Sequence, residues 1–312
     1  MKTIRAAVIG AGYMGRFHAE KLATCVGAEL AAVIDADAAR AREIGAKLGS
    51  AHGADYREWL GKIDAACIAV PTELHDRVAR ACLEAGVHVL VEKPLARTLA
   101  EADALLAAAH SRGLVLQVGH LQRFNPAFRA LAGQQGKPLF IDIERLAPFK
   151  SRGTDVDVVL DLMIHDLDLV LALARAPVAE VSACGFRVLT DAIDIANARI
   201  EFADGCVASV SASRVSQAPV RKLRVFRHDA YVSADLQEQR LRHVRRSGGA
   251  IEEREEVFEL VDELRAQTES FVRAVREKGA PPVTGEEGRA ALGLALQIVA
   301  LIDERVKKHS AA

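Results

Sequence analysis

The sequence predicts an α/β protein of two domains. Residues 1–122 alternate short apolar runs with helical segments, the pattern of an N-terminal Rossmann domain with a doubly wound parallel sheet. Residues 123–312 lose this alternation and instead show runs in which polar and apolar residues take turns, which predicts an α+β domain with a large, mostly antiparallel open sheet. A chain of 312 residues is long enough to bury two cores.

The first domain is predicted to contain five strands and four intervening helices. The strands are the apolar runs at 4–9, 28–35, 64–70, 87–91 and 114–119. The helices are predicted from Met14 to about Val26, and at 37–48, 73–85 and 98–112.

The motif GAGYMG directly follows the first strand and opens a helix. In this spacing the first glycine permits a tight turn, the second lets a pyrophosphate approach the backbone, and the third lets helix and strand pack closely. The helix N-terminus adds free N–H groups and a partial positive charge. The motif therefore predicts a dinucleotide site formed by Gly10, Gly12, Tyr13, Met14 and Gly15.

Asp35 ends the second strand, 20 residues after Gly15. A carboxylate at this position can bind both hydroxyls of an adenosine ribose and repels a 2′-phosphate. The sequence thus predicts NAD as the cofactor. Arg40 and Arg42 lie close enough to keep NADP open.

Two further strand ends are predicted to border the cofactor, because ligands of open α/β sheets bind beyond the carboxyl ends of the strands. The stretch VLVEKPLA delivers Glu92 and Lys93 there, and Pro94 predicts a rigid turn that a cis Lys93–Pro94 bond would form. We expect Glu92 to bind the nicotinamide ribose. On position alone, Lys93 could be a solvated strand-end lysine. The stretch AVPTELH brings Pro71, Thr72 and His75 to the same edge.

The second domain is predicted to hold strands at 139–146, 179–189, 195–202, 206–213 and 222–234. Asp204 and Gly205 are a hairpin signal between the third and fourth of these. The charged segment 235–256 is interpreted as a solvated loop or hairpin. A helix at 284–308 begins with a capping box of Thr284 and Glu287, and we expect it to pack back on the first domain.

The stretch DVVLDLMIHDLDLVLAL (157–173) predicts a helix that is buried on most sides. Asp161 and His165 are four residues apart and so share a face, where a carboxylate can orient an imidazole and raise its basicity. A histidine satisfied within the core is the alternative. Asp166 and Asp168 are interpreted as helix-surface residues.

Composition narrows the class of partner. The 41 basic and 42 acidic residues nearly cancel, which argues against bulk attraction to nucleic acid or an anionic membrane. The five cysteines are widely spaced and predict reduced thiols, with no metal site. No apolar run approaches the roughly 20 residues of a membrane helix, and no signal peptide is recognisable. We expect a soluble, cytoplasmic protein that binds a small molecule.

Five motifs together carry a family resemblance. GAGYMG, VPTELH, VEKP, GHLQRFNP and the Asp161–His165 helix resemble, in order and spacing, the glucose–fructose oxidoreductase / inositol dehydrogenase / rhizopine catabolism (Gfo/Idh/MocA) family. The resemblance implies a nicotinamide-dependent sugar or polyol dehydrogenase whose active site lies between the two domains, and a homodimer or homotetramer formed through the open sheet. It also implies Lys93, Asp161 and His165 as the catalytic groups, which would contact the substrate. Many members have a Gly-Gly pair where this chain reads SRGTDVDVV.

Oxidation of a secondary alcohol requires a base for the hydroxyl proton and a hydride acceptor opposite the C–H bond. We expect His165 to be the base and Lys93 to stabilise the alkoxide or relay the proton, with the two roles exchangeable. His120, Arg123 and Asn125 are predicted to contact the substrate. An ion pair between domains is the alternative for Arg123.

GHLQRFNPAF and DVVLDLMIHDLDL further resemble the UDP-N-acetylglucosamine 3-dehydrogenase subgroup. This implies oxidation to a 3-keto nucleotide sugar, which an aminotransferase converts to a 3-amino sugar for lipid A or other surface glycans. Arg123, Lys150 and Arg152 would suit its diphosphate. Two alternatives are a free polyol or sugar dehydrogenase of the inositol kind, and a catalytically idle NAD-binding sensor.

Overall fold

The computed structural model describes residues 2–150 and 156–310. They form two compact units. The first comprises Met1–Leu121 and Asp262–Ala290, and the second comprises Gln122–Val261 and Ala291–Ala312. The sequence places one boundary at 122/123, whereas the structure returns Asp262–Ala290 to the first unit. Among the described residues, no helix has the length and apolar character needed to cross a membrane.

The first unit is built on a parallel sheet of six strands in the order β3-β2-β1-β4-β5-β6. These strands are β1 (Ile4–Ile9), β2 (Ala28–Ile34), β3 (Ala51–Gly53), β4 (Ala65–Ile68), β5 (His88–Val91) and β6 (Leu116–Val118). The chain winds outward in one direction from β1 and then in the other from β4. The strand order therefore reverses between β1 and β4, where sheets of this kind bind their ligands.

Five helices belong to this unit, and their caps are encoded locally. They are α1 (Tyr13–Leu22), α2 (Ala38–Leu48), α3 (His75–Glu84), α4 (Leu99–Arg112) and α7 (Glu263–Glu277). Asp37 accepts backbone N–H groups at the start of α2, and Thr98 forms a capping box with Glu101 at the start of α4. Helix α7 packs on α1 and contributes the buried Phe271 to the core of the unit. The sequence predicted neither α7 nor β3.

The second unit contains a sheet of eight strands in the order β14-β13-β12-β11-β7-β10-β9-β8. Its strands are β7 (Phe140–Leu146), β8 (Val178–Phe186), β9 (Ile195–Phe202), β10 (Val207–Ser213), β11 (Val220–Phe226), β12 (Ala230–Asp235), β13 (Arg240–Ser247) and β14 (Ala250–Val257). Strands β7 and β10 pair in parallel, and the other described neighbours pair antiparallel. The predicted mostly antiparallel sheet is confirmed.

The structure corrects the prediction for residues 222–234 and shows which of two alternatives holds for 235–256. The single strand predicted at 222–234 is wrong, because the chain turns after Phe226 and returns as β12, with the Arg227 N–H bonded to the Ala230 carbonyl. The charged segment 235–256 forms mainly the hairpin β13–β14, where cross-strand charges such as Arg242 and Glu253 pair at 2.6 Å.

Helices cover one face of this sheet. Besides α5 (Pro126–Ala132), they are α6 (Ile164–Ala174), which continues a π-helical turn at Val159–Met163, and α8 (Gly285–Ser310). Alternate strand residues such as Ile141 and Val210 share the core with Leu167 of α6. The predicted capping box of Thr284 and Glu287 is present at the start of α8. The sequence predicted that α8 packs on the first domain. Its residues up to Ala290 belong to the first unit, where Arg289 pairs with Asp103, and from Ala291 its buried residues join the core of the second unit.

Candidate active site

In the glycine-rich loop between β1 and α1, two glycines leave no room for a side chain, whereas the third faces open space. Gly10 has a φ of +92°, and a Cβ there would lie 2.6 Å from the Ala69 backbone. A Cβ on Gly15 would lie 1.7 Å from the Gly10 carbonyl oxygen. At Gly12 a Cβ would meet nothing within 4 Å, and no side chain caps the helix that follows. The loop therefore leaves open space beside the N-terminus of α1, as a pyrophosphate site requires.

Asp35 lies directly beside this loop. Its Oδ2 accepts a hydrogen bond from the Ala11 N–H at 2.6 Å, and its Oδ1 accepts one from the Asp37 N–H at 2.8 Å. A carboxylate oxygen can accept more than one hydrogen bond, so both oxygens keep capacity for a ribose. Arg40 places Nη1 at 3.7 Å from Asp35 Oδ2. A cation is thus present where a 2′-phosphate would require one.

His75 connects the two strand-end turns that the sequence placed at the cofactor. The side chain is 1 % exposed, with Nδ1 at 2.8 Å from the Pro94 carbonyl oxygen and Nε2 at 3.0 Å from the Val70 carbonyl oxygen. Burial lowers the pKa of His75. The structure thus shows His75 bracing the turns. Pro71 is exposed and Thr72 is half-buried in a single 3₁₀ turn, Thr72–Leu74.

The EKP turn begins at the carboxyl end of β5. The Lys93–Pro94 bond is cis, and Lys93 is half-buried. Glu92 is buried and faces the buried His18 of α1, with His18 Nε2 at 2.7 Å from Glu92 Oε1. Burial raises the pKa of Glu92, but the hydrogen bond and charge of His18 outweigh it and hold the pKa below its usual range.

His18 is a residue of this site that the sequence analysis missed. It lies three residues after Gly15 and four before Leu22, and all three are buried. Helical spacing alone therefore places it on the buried face of α1, where a histidine needs a polar partner. That spacing was the available signal, but the identity of the partner, Glu92, depends on the fold bringing the end of β5 to α1.

In the second unit, Asp161 lies within the π-helical turn and His165 is the second residue of α6. Both side chains are half-buried. The predicted helix therefore exists, but its first turn is π-helical. Short π segments inside α-helices occur frequently at functional sites.

The interpretation of Asp166 and Asp168 as helix-surface residues is wrong. Both are 1 % exposed, and each is held by an arginine of the same unit. Arg145 on β7 donates to both Asp166 oxygens, with its closest contact at 2.6 Å, and Arg123 Nε donates to Asp168 at 2.8 Å. Burial raises the pKa of Asp166, which the Arg145 charge opposes. These two ion pairs anchor the first turns of α6, directly after His165.

Of the three predicted substrate residues, one belongs to the first unit and two to the second, and they lie in different settings. His120 is buried and lies two residues after the end of β6. Asn125 is buried and caps α5 by accepting the Ala127 and Phe128 N–H groups, while its Nδ2 donates to the Leu236 carbonyl. Arg123 is paired with Asp168 inside the second unit. Their contacts with substrate stay predictions.

Of the predicted diphosphate residues, Lys150 is exposed at the end of a described segment, and Arg152 lies outside the described residues. The first five residues of the stretch SRGTDVDVV also lie outside the described residues.

Comparison with known proteins finds family models that match two separate parts of the chain. Residues 4–120 match the model of the oxidoreductase family with an NAD-binding Rossmann fold, and residues 131–232 match the Gfo/Idh/MocA C-terminal domain. The UDP-N-acetylglucosamine 3-dehydrogenase of Acidithiobacillus ferrooxidans is 41 % identical over 303 residues, which cover 95 % of this chain and 96 % of that protein.

The chain belongs to the Gfo/Idh/MocA oxidoreductase family. A solved structure of the A. ferrooxidans enzyme matches with a TM-score of 0.92 at 40 % identity, covering 97 % of this chain and 99 % of the other. The scyllo-inositol 2-dehydrogenase (NAD(+)) of Bacillus subtilis is 34 % identical over 68 % of each chain. Levoglucosan dehydrogenase in complex with NADH shares the fold, with a TM-score of 0.88 at 19 % identity over 96 % of this chain and 97 % of that chain.

Membership makes this Gfo/Idh/MocA protein an NAD(H)-binding oxidoreductase that acts on hydroxyl groups. The residues present fit such a cofactor, because open space adjoins Gly12 and Asp35 stands beside the loop. Gly10, Gly12, Tyr13, Met14 and Gly15 would hold the phosphates, and Asp35 would hold the adenosine ribose.

Proposed function

We propose that this protein is an NAD-dependent dehydrogenase that oxidises the 3-hydroxyl of UDP-N-acetylglucosamine to the 3-keto sugar. The observation that carries the proposal is the 41 % identity to an enzyme of that name over 95 % of the chain, with a matching structure. The chain contains all three residues that the resemblance implies as catalytic, which are Lys93, Asp161 and His165. An idle NAD-binding sensor would not need them.

NAD is the proposed cofactor, rather than NADP. Asp35 has both carboxylate oxygens oriented by backbone N–H groups beside the glycine-rich loop, which suits two ribose hydroxyls. A fixed negative charge there opposes a 2′-phosphate. Arg40 is close enough to soften that preference.

Three side chains are proposed to move or stabilise the hydroxyl proton and its charge. His165 accepts the proton, Asp161 orients the imidazole, and Lys93 stabilises the developing alkoxide. The reverse assignment, with Lys93 as the base, uses the same groups. A bound nicotinamide supplies the hydride acceptor. Pro71, Thr72, His75 and Glu92 are proposed to line the cofactor, and His120, Arg123 and Asn125 the sugar.

Amino transfer to the 3-keto product would yield a 3-amino sugar, and we propose lipid A or another surface glycan as its destination. We propose that the protein acts in the cytoplasm, because its proposed substrate is a charged, nucleotide-activated sugar. Lys150 and Arg152 are proposed to meet the diphosphate.

We propose that a second copy of the chain covers the open face of the eight-stranded sheet. Phe140, Phe226 and Tyr231 meet there across three neighbouring strands, with ring centroids 5.8 and 4.9 Å apart. Charged side chains of both signs lie on the same strands; for example, Arg224 on β11 pairs with Asp142 on β7. A face with an aromatic centre and both charges is self-complementary, as a two-fold interface requires.

Phe226→Asp should lower the molar mass measured by light scattering to that of a monomer, whereas Ile251→Asp on the edge strand should not.

Oxidation of a free cyclic polyol is the second candidate. It is favoured by the 34 % identity to the scyllo-inositol enzyme over two thirds of the chain. The same lysine, aspartate and histidine would serve both substrates. The two candidates therefore differ in whether the enzyme binds a nucleotide, and not in the catalytic groups.

The test is NADH formation by the purified protein with UDP-N-acetylglucosamine, N-acetylglucosamine, scyllo-inositol and myo-inositol. We expect turnover of the nucleotide sugar only, reduced about 100- to 10,000-fold in Lys93→Ala and His165→Ala. Lys62→Ala, an exposed lysine elsewhere in the first unit, is the control. Turnover of an inositol but not of the nucleotide sugar would replace the proposal with the second candidate. NAD binding without any turnover would favour the sensor.

A further inference from the structure

The buried pair of His18 and Glu92 connects two parts of the first unit that the proposed chemistry uses. His18 is 1 % exposed and belongs to α1, which begins at the glycine-rich loop. Glu92 directly follows β5 and precedes Lys93. The 2.7 Å contact between His18 Nε2 and Glu92 Oε1 thus links the second turn of α1 to the turn that carries the lysine.

The second oxygen of Glu92 is also fixed. Oε2 accepts the Lys93 N–H at 3.3 Å, so the carboxylate contacts the backbone of the residue it precedes. Gly119, directly after β6, packs close to the same oxygen, because a Cβ on Gly119 would lie 3.0 Å from Oε2. Both oxygens of the Glu92 carboxylate are therefore held, and among the described residues His18 is a side chain that holds one of them.

The surroundings of the pair favour the charged state of both partners. Burial lowers the pKa of His18, but the neighbouring Cys67 and Glu92 side chains raise it to about 10. Besides His18, the charge of Lys93 lowers the pKa of Glu92, and the Glu92 charge acts in turn to raise the pKa of His75. An imidazolium and a carboxylate in contact inside a core hold their geometry strongly, because separating them would leave a buried charge unpaired.

We propose that His18 is a positioning residue for the reaction: through Glu92 it fixes the backbone of Lys93 relative to the glycine-rich loop. The inference rests on the function proposed above, in which Lys93 acts on the substrate hydroxyl. Loss of the contact frees the turn to shift, and a displacement of about 1 Å at a reacting group costs on the order of 100-fold in rate.

The kinetic test uses His18→Gln and Glu92→Gln, which keep the hydrogen-bonding shape but remove the charge. His88→Gln is the matched control, because His88 is a half-buried histidine at the opposite end of β5 whose Nδ1 accepts the Val115 N–H. We expect kcat with UDP-N-acetylglucosamine to fall tenfold or more in both pair variants, with KM for the sugar nearly unchanged. The double variant should lose no more than the worse single variant. The control should keep kcat within about twofold.

A lower melting temperature with unchanged kcat in the pair variants would overturn the inference, since His18 would then serve the core alone. If His18→Gln does not fold, Glu92→Gln carries the same kinetic comparison, because it alters the same contact from the other side.

Amide hydrogen exchange of peptides that span Val91–Ala96 tests the inference without a substrate. We expect faster exchange in His18→Gln than in the wild type and in His88→Gln. Unchanged exchange together with unchanged kcat would refute the positioning role while leaving the proposed function standing. If the wild type turns over no nucleotide sugar, the proposed function fails, but exchange still shows whether His18 holds the turn.

Discussion

At the scale of single residues, Asp35 determines which dinucleotide the loop accepts. Asp35→Ala removes the ribose acceptor and the charge that repels a 2′-phosphate, while Arg40 remains nearby. We expect KM for NAD to rise about tenfold, in line with two lost hydrogen bonds, and NADP to become usable. Initial rates with both cofactors measure this.

Asp37→Ser is the control for Asp35, because serine keeps the N-cap of α2 two residues away. It should leave both KM values close to those of the wild type. An unchanged preference for NAD in Asp35→Ala would show that Asp35 does not select the cofactor.

The charge on His18 makes a pH-dependent contribution to stability. Its pKa in the folded protein is about 10, above the ordinary 6.5, so the contribution is complete below pH 6.5 and is lost as pH rises to about 10. The gap in free energy of unfolding between the wild type and His18→Gln should therefore narrow over this range, at up to about 1.4 kcal/mol per pH unit.

The lowered pKa of Glu92 keeps its own contribution constant over the same window, because that carboxylate is already ionised. Urea unfolding at several pH values between 6.5 and 9.5 measures the gap. A gap that stays constant would mean that His18 is neutral in the folded protein.

At the scale of elements, the loop between β8 and β9 is organised around Asp194. Its Oδ2 accepts the Val188, Leu189 and Thr190 N–H groups, and Arg214 Nε donates to Oδ1 at 2.7 Å. Burial raises the pKa of Asp194, but these bonds outweigh it and hold the pKa far below its usual range. Asp194→Ala leaves Arg214 buried without its carboxylate.

We expect Asp194→Ala to lower the free energy of unfolding by about 3–5 kcal/mol. Asp191→Ala, an exposed aspartate of the same loop, should change it by less than about 0.5 kcal/mol. Denaturant unfolding of both variants gives the comparison, and equal losses would contradict the special role of Asp194.

Elements with a strong local signal were predictable from the sequence, and those set by tertiary packing were not. The glycine-rich loop, the β-α-β alternation and the capping box at Thr284 depend on neighbours in the chain, so they were predicted. Asp166 and Asp168 could not be placed from the sequence, because their burial depends on Arg145 and Arg123, which are 21 and 45 residues away. The turn that splits 222–234 carries no glycine or proline, so it gave no signal.

The candidate site divides in the same way. Lys93, Asp161 and His165 stood out because charged groups interrupt apolar stretches. His18 did not, since nothing in its own segment shows that a carboxylate lies beside it. Partners that are far apart in sequence were found only once the sheet was assembled.

At the scale of the whole molecule, helix α8 is needed for the core of the second unit. Leu294, Ile298 and Ile302 are buried there with the strands and α6. A chain ending at Val283 loses all three, and we expect it to melt at a clearly lower temperature or not to fold. A chain ending at Lys308 keeps them and serves as the control. Unchanged melting of the shorter chain, followed by circular dichroism, would contradict this role.

The proposed reaction removes hydride from C3 of a nucleotide sugar. The most direct measurement uses UDP-N-acetylglucosamine carrying deuterium at C3, with the mass of the reduced cofactor as the readout. We expect NADH that is one mass unit heavier than NADH from unlabelled substrate, and a 3-keto product. Unlabelled NADH would place the oxidation at another carbon, and no NADH at all would contradict the claim.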